Sequence, residues 1–258
     1  MELLGGDLSG RVSLVTGASR LNGIGAAVCR GLASCGADVA FTYWTAYDQA
    51  HYHTDASEPE VLRQELLTYG GRVQAIEIDL AAADAAIRLL DEVNEGLGTV
   101  DIVINAAAYC VQDGFDRLTS AELDRHYAVN LRTTMLLSSE FARRFPEAKT
   151  GGRIVNMTSG QEVGAMPDQL AYAATKGAIV TFSSSLAAGV AKKRITVNAV
   201  DPGGTDTGWM TDELKATIGA SMAFGRIGQP EDAARIILFL VSDAGQWITG
   251  QVVHSRGA

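Results

Sequence analysis

Histidine, cysteine and long apolar runs are all scarce in this chain, and each scarcity excludes something. The three cysteines, Cys29, Cys35 and Cys110, are spaced neither as a zinc site nor as a disulfide framework. They read as reduced, buried thiols and point to a reducing, cytoplasmic location. A single H-x-H pair, His51 and His53, has only Asp48 and Asp55 for company, too sparse a cluster for a metal site. No apolar stretch reaches the ~18 residues of a membrane span, and MELLGGDLSG at the start lacks the basic and apolar regions of an export signal. With 21 Lys+Arg against 30 Asp+Glu the formal charge is −9, which disfavours a nucleic-acid or anionic-membrane partner. Any anionic ligand would need donors placed locally. There is no linker, no low-complexity segment and no internal repeat beyond a strand–helix unit.

What is present is that unit, used over and over. Apolar content of 47% with 28 glycines in 258 residues suits one sizeable α/β domain. RVSLVTGAS reads as a strand, and NGIGAAVCRGLASCGAD as a helix stopped at Gly36. DVAFTYW is a second strand, and TAYDQAHYHTDASE (45–58) is expected as an irregular surface loop. A helix opened by Pro59 leads to the strand RVQAIEIDL, and a helix over 83–97 to VDIVINAAA, whose unbroken apolar run suits a strand covered on both faces. A long helix is expected over 119–145, then the strand GRIVNMTS, a helix carrying Tyr172, the strand RITVNAV, a loop and helical lid over about 205–228, a helix over 230–241 and the strand GQVVHS. Seven strands alternating with helices imply crossover connections and an open, doubly wound parallel sheet, the single-domain Rossmann arrangement.

Two stretches carry chemistry. Tyr172 and Lys176, four apart on one helix, share a face about one turn apart. An ammonium beside a phenol favours the phenolate, so Lys176 is expected to lower the Tyr172 pKa. Ser159 would stand at the C-terminal edge of the strand GRIVNMTS, thirteen residues before Tyr172. The second stretch, TGASRLNGIG, places Gly17, Gly23 and Gly25 between a strand and a helix N-terminus, where free N–H groups and the helix dipole receive a phosphate.

Together these motifs resemble the short-chain dehydrogenase/reductase family, from about residue 8 to 257. The family's glycine loop reads T-G-x-x-x-G-x-G, so Leu21-Asn22 looks like an insertion; Gly17, Ser19, Arg20, Gly23, Ile24 and Gly25 are the candidate phosphate contacts. The resemblance implies hydride transfer between a nicotinamide and a carbonyl or secondary alcohol. Tyr172 would act as proton donor, Ser159 as polariser of the substrate oxygen and Lys176 as ribose ligand, with Asn130 holding a lysine-bound water. Tyr43 and Trp44 end the second strand without an acid, and Arg20 resembles the basic residue of NADP-preferring members. NADP(H) is therefore expected, while Asp48 is the residue through which NAD(H) would be held. Asp79 and Leu80 resemble the adenine-contacting pair, although a strand-end Asp also caps helices. Asn105, Ala106 and Ala107 resemble the family's N-N-A-G segment, with alanine in place of its second Asn and its Gly. Pro202, Gly203, Thr205 and Thr207 resemble the carboxamide-gripping loop.

The C-terminal segment RIGQPEDAARIILFLVSDAGQWITGQVV is similar to 3-oxoacyl-thioester reductases, with a polyketide, sugar or steroid ketone as alternative substrate. Enoyl reductases of the family space Tyr and Lys further apart. A redox-sensing protein without turnover is the reading from another class. The apolar residues on two faces of the long helix and the Tyr172 helix imply a homodimer or homotetramer.

Overall fold

The computed structural model describes residues 6–52, 54–149 and 151–257. Seven parallel strands form one sheet in the order β3-β2-β1-β4-β5-β6-β7. They are β1 (Val12–Thr16), β2 (Asp38–Tyr43), β3 (Val73–Glu77), β4 (Ile102–Asn105), β5 (Gly152–Met157), β6 (Ile195–Asp201) and β7 (Val252–His254). Strand residues alternate between two cores. Val12 and Leu14 of β1 join one face while Val15 joins the other, and Val103 of β4 lies opposite Ile102 and Ile104. Helices α1 (Ile24–Ser34), α3 (Glu58–Leu67) and α10 (Pro230–Val241) cover the first face. Helices α4 (Ala85–Gly96), α7 (Thr133–Arg144) and α8 (Leu170–Val190) cover the second. Strand order reverses between β1 and β4, so the carboxyl ends of these two strands open the crevice in which such sheets bind ligands.

The stretch 45–58 departs from expectation. Thr45–Tyr52 forms helix α2, and α3 begins at Glu58 rather than at the proline. Ala46, Gln49 and Ala50 favour a helix, and tertiary contacts fix it: Asp48 is buried beside Arg20, and Tyr47 packs on Tyr109. His51 stacks on Tyr47, His53 lies outside the described residues, and among the described residues no three potential ligands gather at a metal site.

The expected helix over 119–145 is broken into three. After the short α5 (Gly114–Arg117) come α6 (Ser120–His126), a π-helical turn over Tyr127–Arg132 that contains Asn130, and α7. Thr119 caps α6 by accepting from Glu122 N at 3.3 Å, as its TSAE pattern suggests. A π-turn inside a helix is uncommon and favours functional positions. Above β6 stands α9 (Asp212–Ser221), the helix within the expected lid. No helix among the described residues is long and apolar enough to cross a membrane.

Candidate active site

The crevice is a single cleft of about 1150 Å³, lined by the loops that follow β1 through β6. At the β1 end the chain turns at Gly17 with φ of 77°, where a Cβ would stand 2.5 Å from the Ala107 Cα. Only glycine fits both that conformation and that approach. Gly25 is equally tight, because a Cβ there would strike the Gly17 carbonyl. Gly23, the N-cap of α1, provides no side-chain cap, so the first-turn N–H groups face the cleft unclaimed by a side chain. The room, the helix terminus and the glycines fit a dinucleotide with its pyrophosphate at the start of α1. The inserted residues are anchored away from it. Leu21 N donates to Glu58 (2.7 Å), Leu21 O accepts from Arg30 (2.8 Å), and Asn22 packs against Gly208.

Ser159 follows β5 at the cleft wall, and its hydroxyl is placed to hydrogen-bond the Tyr172 phenol. Lys176, 2% exposed, donates from Nζ to Met157 O at 2.8 Å, and Thr158 Oγ1 donates to Lys176 O, which ties α8 to the end of β5. The Lys176 ammonium lies 5.5 Å from the Tyr172 ring centre. The expected lowering of the phenol pKa is not found. Burial pushes the Tyr172 phenol up to about 12, against the pull of Ser159 and with Cys110, Tyr52 and Asp201 adding to it. Burial also lowers Lys176 to about 8, so the cation is itself held at a cost and is turned towards a carbonyl. A neutral phenol at neutral pH is a proton donor.

Asn130, expected to hold a water, is fully buried and bonded to protein groups. Its Oδ1 accepts from Tyr109 N (2.6 Å), and its Nδ2 donates to Tyr109 O and to Thr175 Oγ1 (2.9 and 3.2 Å). It therefore clamps the loop after β4 to the helix that carries Tyr172. Asn105 donates to Asn156 (2.8 Å) and Ser138 (3.0 Å), and Asn156 to Ser183 (2.9 Å), a buried network beneath the site. The N–H groups of Ala106 and Ala107 both find Thr16 Oγ1 at 3.1 Å.

With this constellation in place, the comparisons decide the family. A family model described as enoyl-(acyl carrier protein) reductase matches residues 17–257. An uncharacterized oxidoreductase of Bacillus subtilis, YjdA, is 48% identical over 96% of both chains. The chain belongs to the short-chain dehydrogenase/reductase family. Within that family of oxidoreductases, the 3-oxoacyl-acyl-carrier-protein reductase of Aquifex aeolicus is 31% identical over 97% of each chain. The solved angucycline C-6 ketoreductase LanV with bound NADP is 31% identical, covers 98% of this chain and 96% of its own, and has a TM-score of 0.85.

The family's other expected contacts all line the same cleft: Ser19, Arg20, Ile24, Tyr43, Trp44, Asp79, Leu80, Pro202, Gly203, Thr205 and Thr207. Their present partners are informative. Arg20 already has protein partners: it donates to Thr207 O (2.8 Å), stands 3.6 Å from Asp48 and lies over the Tyr52 ring. Asp48 has folded back, as an acid in that loop must to reach the cleft, yet it meets Ser19 and Arg20, and burial raises its pKa against their pull. Asp79 accepts from Ala81 N at 2.8 Å, so it closes a local turn while facing the cleft. Tyr47, Tyr52, Cys110, Asp113 and Arg256 were not legible as site residues. Their proximity arises from α2 and from chain segments far apart in sequence.

Proposed function

We propose that this short-chain dehydrogenase/reductase is an NADP-dependent ketoreductase, reducing a carbonyl to a secondary alcohol. The observation that carries the reading is that Ser159, Tyr172 and the buried Lys176 line one cleft, which continues to the α1 N-terminus. NADPH, when bound, supplies the hydride. The Ser159 hydroxyl polarises the substrate oxygen. Tyr172, whose phenol burial keeps neutral, donates the proton to that oxygen. Lys176 keeps two N–H donors for ribose hydroxyls, and Asn130 fixes the loop that borders them.

NADP is favoured over NAD by Arg20 and by the absence of an acid at Tyr43-Trp44, and the NADP-bound ketoreductase LanV agrees in fold throughout. A phosphate would draw Arg20 from Asp48. The 3-oxoacyl thioesters and polyketide-like ketones are the substrates to try first, given the named relatives. The lid is assigned to about 205–228, of which Thr205, Thr207 and Trp209 line the cleft and Asp212–Ser221 form α9. A dimer or tetramer follows from the apolar residues left on the surface. Met135 and Leu136 of α7 are exposed, Phe182 and Leu186 of α8 are half-buried, and Trp247 before β7 is 94% exposed. NADPH consumption with a panel of ketones, 3-oxoacyl thioesters and an enoyl thioester tests the reading. Turnover of ketones is expected, and turnover of the enoyl thioester alone would replace it.

A further inference from the structure

The carboxyl end of the chain brings one more charge into the cleft. Arg256, two residues beyond β7, donates from Nε to Asp201 Oδ2 at 2.7 Å. That carboxylate is fully buried and fully used: His254 Nδ1 meets the same oxygen at 2.9 Å, and Gly203 N donates to Oδ1 at 2.9 Å. The side chain then runs along two glycines. A Cβ on Gly203 would press on the Arg256 Cγ at 3.0 Å, and one on Gly160 would collide with Nη2. The guanidinium thus lies on the backbone immediately after Ser159, in a track that larger residues would fill.

A purely structural pair would turn the guanidinium fork onto Asp201. Here only Nε is spent, and Nη1 and Nη2 make no hydrogen bond among the described residues while the side chain remains 30% exposed in the cleft. The acids that line the cleft, Asp48 and Asp79, lie beyond β2 and β3 at its other end. Gly160 and Gly203 border the side chain, and the apolar Val163, Met166 and Trp209 line the same cleft. A planar, always-charged fork beside the carbonyl-polarising serine suits a carboxylate close to the reacting carbonyl.

We propose that Arg256 binds a carboxylate carried by the substrate, so that the preferred substrates are keto acids rather than neutral ketones. This rests on the ketoreductase reading and narrows it. The test compares kcat/KM with NADPH for acetoacetate and for its methyl ester in the wild type, Arg256→Ala and Arg256→Lys. The wild type is expected to favour the acid, and the acid-to-ester ratio to fall at least about tenfold in Arg256→Ala, mainly through KM. Arg256→Lys, which keeps Asp201 paired but lacks the fork, is expected to lose part of that preference. A wild type that favours the ester, or a ratio unchanged within about twofold in both variants, overturns the proposal. In parallel, butyrate is titrated calorimetrically into the NADP⁺ complexes, with NADP⁺ affinity reporting that each variant is folded. Binding at least about tenfold tighter to wild type than to Arg256→Ala supports the site, and equal binding overturns it. If the wild type reduces no ketone at all, the ketoreductase reading fails, and the butyrate titration still decides the role of Arg256. If Arg256→Ala does not fold, Arg256→Lys carries both comparisons, and unchanged values there overturn the proposal.

Discussion

The helix that carries Tyr172 and Lys176 is capped from far away in the chain, and removing that cap should damage stability and turnover together. Helix α8 begins at Leu170, and Gln169 at its N-cap makes no capping bond. Instead Asp113, 2% exposed and ahead of α5, accepts from Leu170 N at 2.7 Å and from Ala171 N at 2.9 Å. The carboxylate satisfies two orphan donors and meets the positive end of the helix dipole. Asp113→Ala would leave both donors unpaired in a dry setting, at a cost of about 2–4 kcal/mol. For a chain of this size, that corresponds to a fall in Tm of roughly 4–16 °C. Tyr172 lies one residue beyond Ala171, so fraying the first turn displaces the phenol from Ser159. Thermal unfolding and steady-state kinetics of Asp113→Ala and Asp113→Asn check this. Asparagine keeps one acceptor and should fall between. The expected pattern is a lower Tm with kcat reduced at least about tenfold and NADPH affinity little changed, since the pyrophosphate is assigned to the α1 N-terminus, away from this cap. An Asp113→Ala enzyme with wild-type Tm and kcat would refute the reasoning.

Lys176 should make stability rise with pH. Below about pH 8 native and unfolded chains both hold the proton and the buried ammonium is a cost. Above it the native state releases the proton first, so stability grows until the ordinary lysine pKa near ~10.4, by about 3 kcal/mol in all. Lys176→Met should lack that rise when both proteins are melted between pH 7 and 10, and parallel curves would contradict it. Arg20→Ala should weaken NADPH at least about tenfold while leaving NADH little affected, measured as dissociation constants; better use of NADH by the wild type would instead give the ribose to an acid such as Asp48. Light scattering at micromolar concentration should report a dimer or tetramer, and a fully active species with the mass of one chain would contradict the exposed apolar faces.

The sheet was readable because period-two and unbroken apolar runs directly reflect burial on one or both faces, and all seven strands lie where those runs occur. The spacing of the proton-donor residues was readable too, because Tyr172–Lys176 is a helical spacing and Ser159 follows a strand end. Other features rest on tertiary contacts that leave no local pattern. Helix α2 looked like a loop because its pattern is polar and aromatic, and it is fixed by Arg20 and Tyr109. The Asp113 cap acts across more than fifty residues, and the Asn105–Asn156–Ser183 network joins three separate segments. The direction of the Tyr172 shift depends on a balance of burial against charge, which spacing alone does not weigh.

Whether Tyr172 delivers the proton to the substrate oxygen is decided by Tyr172→Phe. Steady-state reduction of the best ketone from the panel, with NADPH binding followed by fluorescence on the same sample, separates the two roles. The account predicts a fall in kcat of about 10²–10⁴-fold, the usual worth of general acid catalysis, with the NADPH dissociation constant within about twofold of wild type. Retention of more than about a tenth of the wild-type rate would remove Tyr172 from the proton-transfer step.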